Sequence, residues 1–125
     1  PTMGGKQVIF GALILAGNLA VPAVAEDFAM PSGLSVTLHE VIAEEGLTRF
    51  RFIAPAIADL DYADVSADIA TLCETVAIPS LDEGVEQVVI SLSAEIVPFG
   101  ETAPEITQFF DPFVIEDGRC MWEPF

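Results

Sequence analysis

Few residues in this sequence are equipped for chemistry. His39 is the only histidine, and it stands beside Glu40. A histidine next to a carboxylate suggests an acid–base pair. The surrounding residues alternate as in a strand, however, so neighbours point to opposite faces and these two do not meet. A hydroxyl nucleophile would have to come from Ser35, Ser91 or Ser93, and no G-x-S-x-G elbow presents one. Zinc needs three or four nitrogen, sulfur or oxygen ligands. One histidine and two cysteines do not supply such a set. Asp59, Asp61, Asp64 and Asp68 offer oxygens for a cation, but no glycine-centred loop gathers them. Their spacing fits an acid-rich first turn of a helix. No phosphate-cradling loop is present. No residue is therefore assigned to catalysis, to a cofactor or to a metal. An enzyme, a small-ligand site or a cation site would have to be of an unrecognised type centred on His39.

Other residues are better suited to binding. Arg49 and Arg51 share one face of a predicted strand in a chain with four Lys and Arg against twenty Asp and Glu. Pairing with nearby acids is the ordinary role for such arginines; capture of an acidic partner or anion is the functional one. Phe109, Phe110, Phe113, Trp122 and Phe125 crowd the last third. Most of these rings belong in a core. Phe109 and Phe110 are adjacent, so in a strand one of them must face outward. An outward ring joined by Phe99 or Phe125 would form an apolar patch of the kind that marks a partner surface. The candidate partner surface is thus Arg49, Arg51, Phe109, Phe110 and Phe125.

The elements that must position these residues follow from periodicity. Residues 61–77 place Tyr62, Val65, Ile69, Leu72, Cys73 and Val76 at three- and four-residue steps, which predicts one amphipathic helix. Asp64, Asp68, Thr71 and Thr75 fall on its other side. Asp61 is the expected N-cap, and Pro79 the expected stop. Residues 28–33 read as a linker-like entry. Residues 34–43 and 47–54 alternate and flank Glu44-Glu45-Gly46, which predicts an antiparallel hairpin. The first strand slips its alternation near Val41-Ile42, suggesting either a bulge or a two-sided end. Residues 86–93 form a third strand with Val88, Ile90 and Leu92 on one face. Residues 94–100 extend it as an edge segment, and 106–116 form a further strand bent at Pro112.

Asp117-Gly118 is the strongest hairpin signal in the chain. A two-residue loop there pairs Glu116 with Arg119, Ile115 with Cys120, Val114 with Met121 and Phe113 with Trp122. Phe113, Ile115, Cys120 and Trp122 then share a face. The expected fold is α+β: an antiparallel sheet of about four to five strands with one helix packed on one face, in the order β-β-α-β-β-β.

Residues 1–25 read as a secretory signal peptide. Lys6 precedes the apolar run 8–17, and Ala23-Val24-Ala25 is an A-x-A cleavage pattern before Glu26. The alternative is a retained anchor over residues 8–25, a stretch at the short end for a membrane span and interrupted by Asn18 and Pro22. Residues 26–125 then form a single α+β domain in the periplasm. This part holds three arginines against all twenty acids, a net charge of −17. Such a surface repels nucleic acid and anionic lipid headgroups, and both are discounted as partners. It also favours solubility. Two cysteines in an exported chain point to one disulfide, Cys73–Cys120; a free thiol pair and a bond to another chain are the alternatives. A redox role lacks support, with no C-x-x-C and no base beside Cys73. Arg119 is expected to pair with Glu116.

The segments FRFIAP (50–55), DVSADIATLC (64–73), VVISLS (88–93), TQFF (107–110) and IEDGRCMWE (115–123) resemble a family of small exported alphaproteobacterial proteins, catalogued only as a domain of unknown function. The resemblance spans most of residues 30–125. It implies an envelope location and carries over no activity, cofactor or catalytic residue. The resulting expectation is an exported periplasmic domain, non-enzymatic, that binds a protein or serves as an accessory to an envelope or membrane complex.

Overall fold

The computed structural model describes residues 26–124. Residues 1–25, the expected signal peptide, and Phe125 lie outside the described residues. Six strands form one sheet whose spatial order follows the chain. They are β1 (Glu26–Ala29), β2 (Ser35–Glu44), β3 (Leu47–Ile53), β4 (Gln87–Ser93), β5 (Gln108–Glu116) and β6 (Arg119–Trp122). Between β3 and β4 lies α1 (Tyr62–Leu72), continued by a π-helical stretch (Cys73–Ala77) and a last turn (Ile78–Ser80). One helical layer thus covers one face of one sheet, the expected α+β arrangement.

Two expectations about the sheet change. The sheet is mixed, because β3 and β4 run parallel while every other neighbouring pair is antiparallel. The physical reason is the helix itself. The chain leaves the end of β3, crosses one face as α1 and returns to the end where β3 began, so β4 must run parallel to β3. The strand count is six rather than four to five. The additional strand is β1, which takes in the first two residues of the expected linker, Phe28 and Ala29, and pairs with β2 from Glu26↔Leu38 to Ala29↔Ser35. Residues 94–100 do not extend β4; they leave the sheet after Ser93, whose hydroxyl donates to the Glu95 carbonyl at 2.6 Å.

Pro112 does not bend β5 out of the sheet. It stays in register opposite Val89. Its carbonyl accepts from the Glu123 N–H at 3.2 Å. Backbone N and C=O of one strand residue face the same side, so the missing proline N–H faces past the last paired residue of β6, Trp122, at the end of the ladder.

The core forms between α1 and β3–β4. Val65, Ile69 and Leu72 from the helix meet Phe50, Phe52, Val88, Ile90 and Leu92, all fully buried or nearly so. The Asp61 N–H donates to Asp64 Oδ2 at 2.9 Å, which closes the first turn at the expected N-cap position. Asp68 differs from expectation: it is buried, and it accepts from the Ser32 hydroxyl at 2.6 Å. A buried carboxylate must be hydrogen-bonded, and the β1–β2 loop supplies the donor. Pro79 does not stop the helix. Ile78 keeps helical angles (φ −54, ψ −48), and its N–H reaches back five residues to the Cys73 carbonyl. That wider turn relieves the clash between a proline ring and the preceding turn.

The Asp117-Gly118 hairpin has the expected register at all four pairs. Asp117 (φ 52) and Gly118 (φ 74) both adopt left-handed angles, as a type I′ turn requires. Cys120 meets Cys73 in a disulfide, with Cα atoms 6.3 Å apart. Arg119 is not held by Glu116. Its Nε lies 3.1 Å from Glu74 Oε2, and the Cys120 N–H donates to the same oxygen at 3.3 Å. The disulfide brings Glu74 to β6, and Glu74 then has two donors where Glu116 would have one.

The bond closes a loop across a sequence separation of 47 residues. Chain entropy assigns such a closure about 4 kcal/mol. The double variant Cys73→Ala/Cys120→Ala is therefore expected to melt well over ten degrees lower, by circular dichroism, than the oxidised parent. An unchanged midpoint, or two free thiols in the unfolded oxidised parent, would contradict the bond.

Candidate functional site

Among the described residues the face opposite α1 carries no helix, and three strands build a site there. Arg49 and Arg51 lie on β3, Val89 and Ser91 on β4, Gln108 and Phe110 on β5. Register sets Arg51, Ser91 and Phe110 side by side, with Arg49 and Val89 in the parallel row. After β4 the chain turns back over this face. Val97, Pro98, Phe99, Gly100 and Glu101 join the strand residues around a cleft of about 280 Å³. A more open groove of about 450 Å³ continues from it, bounded by Glu101, Thr102, Ala103, Pro104, Ile106, Gln108 and Phe110.

The arginines organise the cleft. Arg51 donates through Nη1 to Glu40 and through Nη2 to the Val97 carbonyl at 2.6 Å. Its side chain is only 11% exposed. This fastens the returning loop to the sheet. Arg49 uses Nε on Glu44 at 3.0 Å. The Phe99 ring sits over both guanidiniums, its centroid 5.4 Å from Arg49 Cζ and 5.5 Å from Arg51 Cζ, within cation–π range. Phe99 and Phe110 remain 52% and 58% exposed.

His39 explains how Glu40 reaches Arg51. The register of β2 on β3 steps from Leu38↔Phe52 to Glu40↔Arg51, which makes His39 the extra residue of a bulge. The slip expected near Val41 therefore sits two residues earlier. The bulge turns Glu40 onto the Arg51 face. His39 lines neither cleft. Among the described residues, no group of three or more His, Cys, Asp or Glu is placed to hold a metal ion.

Of the candidate partner surface, Arg49, Arg51 and Phe110 come together in the cleft. Phe109 does not. It points to the helix side, half-buried, with its ring 6.1 Å from that of Tyr62. Sequence reasoning had required one of the two rings to face outward, and Phe110 is that one. Gln108 and Glu101 had no signal of their own. The Pro98-Phe99-Gly100 turn, with Gly100 at φ 89, is what returns the loop over the sheet.

Residues 13–125 match the model of a family of unknown function, DUF6497. The chain belongs to this family. No curated protein and no solved structure matches it. For DUF6497 the functional reading of this chain therefore rests on its own geometry.

A second polar cluster lies at the other side of the sheet. Buried Asp111 accepts from the Tyr62 hydroxyl at 2.8 Å and from Trp122 Nε1 at 3.1 Å. It fastens α1 and β6 to β5. Among the described residues nothing cationic is hydrogen-bonded to it. The hydrogen bond to the Asp111 carboxylate raises the Tyr62 pKa, with burial and the negative charge adding to the effect. A phenol with a raised folded pKa contributes stability that is complete below its unfolded pKa of about 10 and is lost as pH rises through the folded value. Tyr62 is the only tyrosine, so phenolate absorbance reads it directly. Its midpoint is expected above that of free tyrosine in the parent and near it in Asp111→Ala; equal midpoints in the two proteins would contradict the contact.

Proposed function

We propose that this DUF6497 chain is an exported, non-catalytic module that binds a protein of the envelope or of a membrane complex through the back face of its sheet. The observation that carries the reading is the exposure of Phe99 and Phe110 beside Arg49, on the sheet face that no helix among the described residues covers. Exposed aromatic rings beside an arginine are the composition of interface hot spots. Catalysis lacks a nucleophile–base pair on this face.

Export is supported by the A-x-A pattern ahead of Glu26 and by a disulfide suited to an oxidising compartment. The likeness to small exported alphaproteobacterial proteins points the same way. No helix among the described residues is long and apolar enough to cross a membrane. Attachment to a membrane would come from retention of residues 8–25 as an anchor. Twenty acids disfavour nucleic acid and anionic lipid as partners.

Two measurements test this reading. Protein purified from the envelope fraction is expected to begin at Glu26 by intact mass; a chain retaining residues 8–25 would replace the cleaved form with the anchored one. A photo-crosslinking residue at Phe110 is expected to capture a discrete envelope protein, while one at exposed Ala70 on α1 captures none. Adducts of equal yield at both positions, or none at Phe110, would remove the back face as the contact surface.

A further inference from the structure

The cleft has chemistry more specific than an apolar patch. Arg49 engages Glu44 through Nε alone. Its two terminal nitrogens have no hydrogen-bond partner among the described residues. Ser91, a residue only 7% exposed, lines the cleft, and its hydroxyl likewise forms no side-chain hydrogen bond among the described residues. A polar group buried this deeply without a partner carries a desolvation cost that a ligand would relieve. The floor is thus rich in donors, which favours a ligand group that only accepts. A planar carboxylate fits the paired terminal nitrogens of an arginine. Around that floor stand Val89, Val97, Pro98, Phe99 and Phe110, which fit a compact apolar group next to the carboxylate.

The size and surroundings of the site restrict the ligand further. About 280 Å³ is at the small end for a ligand pocket and suits one residue-sized group. The second groove shares Glu101, Gln108 and Phe110 with the first, so a chain leaving the cleft has a path along it. That path follows an open backbone edge. Strand β6 pairs only with residues 113–116 of β5. Pro112 faces its carbonyl toward β6, so by alternation the N–H and C=O of Phe110 and Gln108 face the same side, beyond the end of β6. An extended segment can pair there by adding a strand. Glu101 supplies an acceptor for a peptide N–H. Polyanions are excluded on a different ground: a body of net charge −17 repels them at long range, whereas a single carboxylate is repelled far less.

We infer that the cleft takes the C-terminus of a partner polypeptide. The terminal carboxylate binds Arg49 and Ser91, an apolar last side chain packs against Phe99 and Phe110, and the preceding residues run along the groove beside β5. This rests on the reading of the back face as the binding surface.

The test is titration of the isotopically labelled domain with acetyl-Ala-Ala-Val-Phe, followed by backbone amide shifts. The free acid is expected to move the amides of Ser91, residues 99–101, Gln108 and Phe110. Its C-terminal amide is expected to bind about tenfold or more weakly, the scale of a lost charge-assisted contact. Arg49→Gln should weaken the free acid by a similar factor and bring the acid-to-amide affinity ratio close to one. Its melting point and spectral dispersion show that it folds. N-acetylphenylalanine should bind more weakly than the tetrapeptide, because it leaves the groove empty. Equal binding of acid and amide, or of the tetrapeptide and N-acetylphenylalanine, overturns the inference. If no peptide binds while Phe110 still crosslinks an envelope protein, the C-terminal preference falls and the binding face stands. If both fail, both fall.

Discussion

The burial of one helix against one face of the sheet is the constraint on which the rest of this fold depends. Residues 54–86 must cross that face to bury Val65, Ile69 and Leu72 on Phe50, Phe52 and Ile90. Each such side chain contributes about 1.5–3 kcal/mol when fully buried. The crossing makes β3 and β4 parallel neighbours and commits their other face to whatever remains of the chain. The disulfide completes the arrangement. It ties the π-helical stretch of this layer to β6, at the far edge of the sheet. Among the described residues, what remains for the opposite face is the loop from Ala94 to Thr107, which covers part of it. The cleft exists because that loop covers only part of three strands.

Electrostatics finishes what burial begins. Each of the three arginines among the described residues holds one connection. Arg119 joins β6 to the helix through Glu74. That contact holds the Glu74 carboxyl below its ordinary pKa, chiefly through the guanidinium hydrogen bond. Its stabilisation is present above the unfolded carboxylate pKa of about 4 and fades as pH falls through the folded value. Both groups are solvent-accessible, so the pair is an alignment device more than a source of stability. Arg51 is different. It is mostly buried and spans from Glu40 on β2 to the Val97 carbonyl, so removing it would leave two acceptors without their donor. Arg49 and Arg119 each engage a carboxylate through Nε only, and of the two Arg49 alone lines the cleft.

Features set by neighbouring residues were legible in the sequence, and features set by distant ones were not. The β5–β6 register follows from a two-residue turn and a period of two, both local, and Cys73–Cys120 follows from that register and the helix face. Strand direction across the helix was not legible, because periodicity within β3 and β4 is the same for either pairing. Both prolines misled for a related reason. Pro79 fits because a π turn makes room for it, and Pro112 because β6 ends beside it; neither condition can be read at the proline itself. Asp68 looked solvated because Ser32, its donor, is thirty-six residues away. For the site, Arg49, Arg51 and the outward choice between Phe109 and Phe110 were legible from alternation. The return of Phe99 over them was not, because it depends on a backbone carbonyl at Val97, an acceptor every residue possesses.

That dependence makes the cleft the least self-sufficient part of the molecule. The core would persist without the loop from residues 94 to 107, since only Ala94 of that loop belongs to its buried cluster and Ile106 merely packs against it. Phe99 is held over the sheet by two guanidiniums rather than by apolar burial. The guanidinium of Arg51 is in turn held by Glu40, which faces it only because of the bulge at His39. The sole histidine thus serves the site by position rather than by its ring. Its extra residue in β2 sets the side on which Glu40 stands. Without that extra residue, Glu40 would fall out of phase with Arg51, and the loop would lose the anchor that keeps Phe99 beside Arg49.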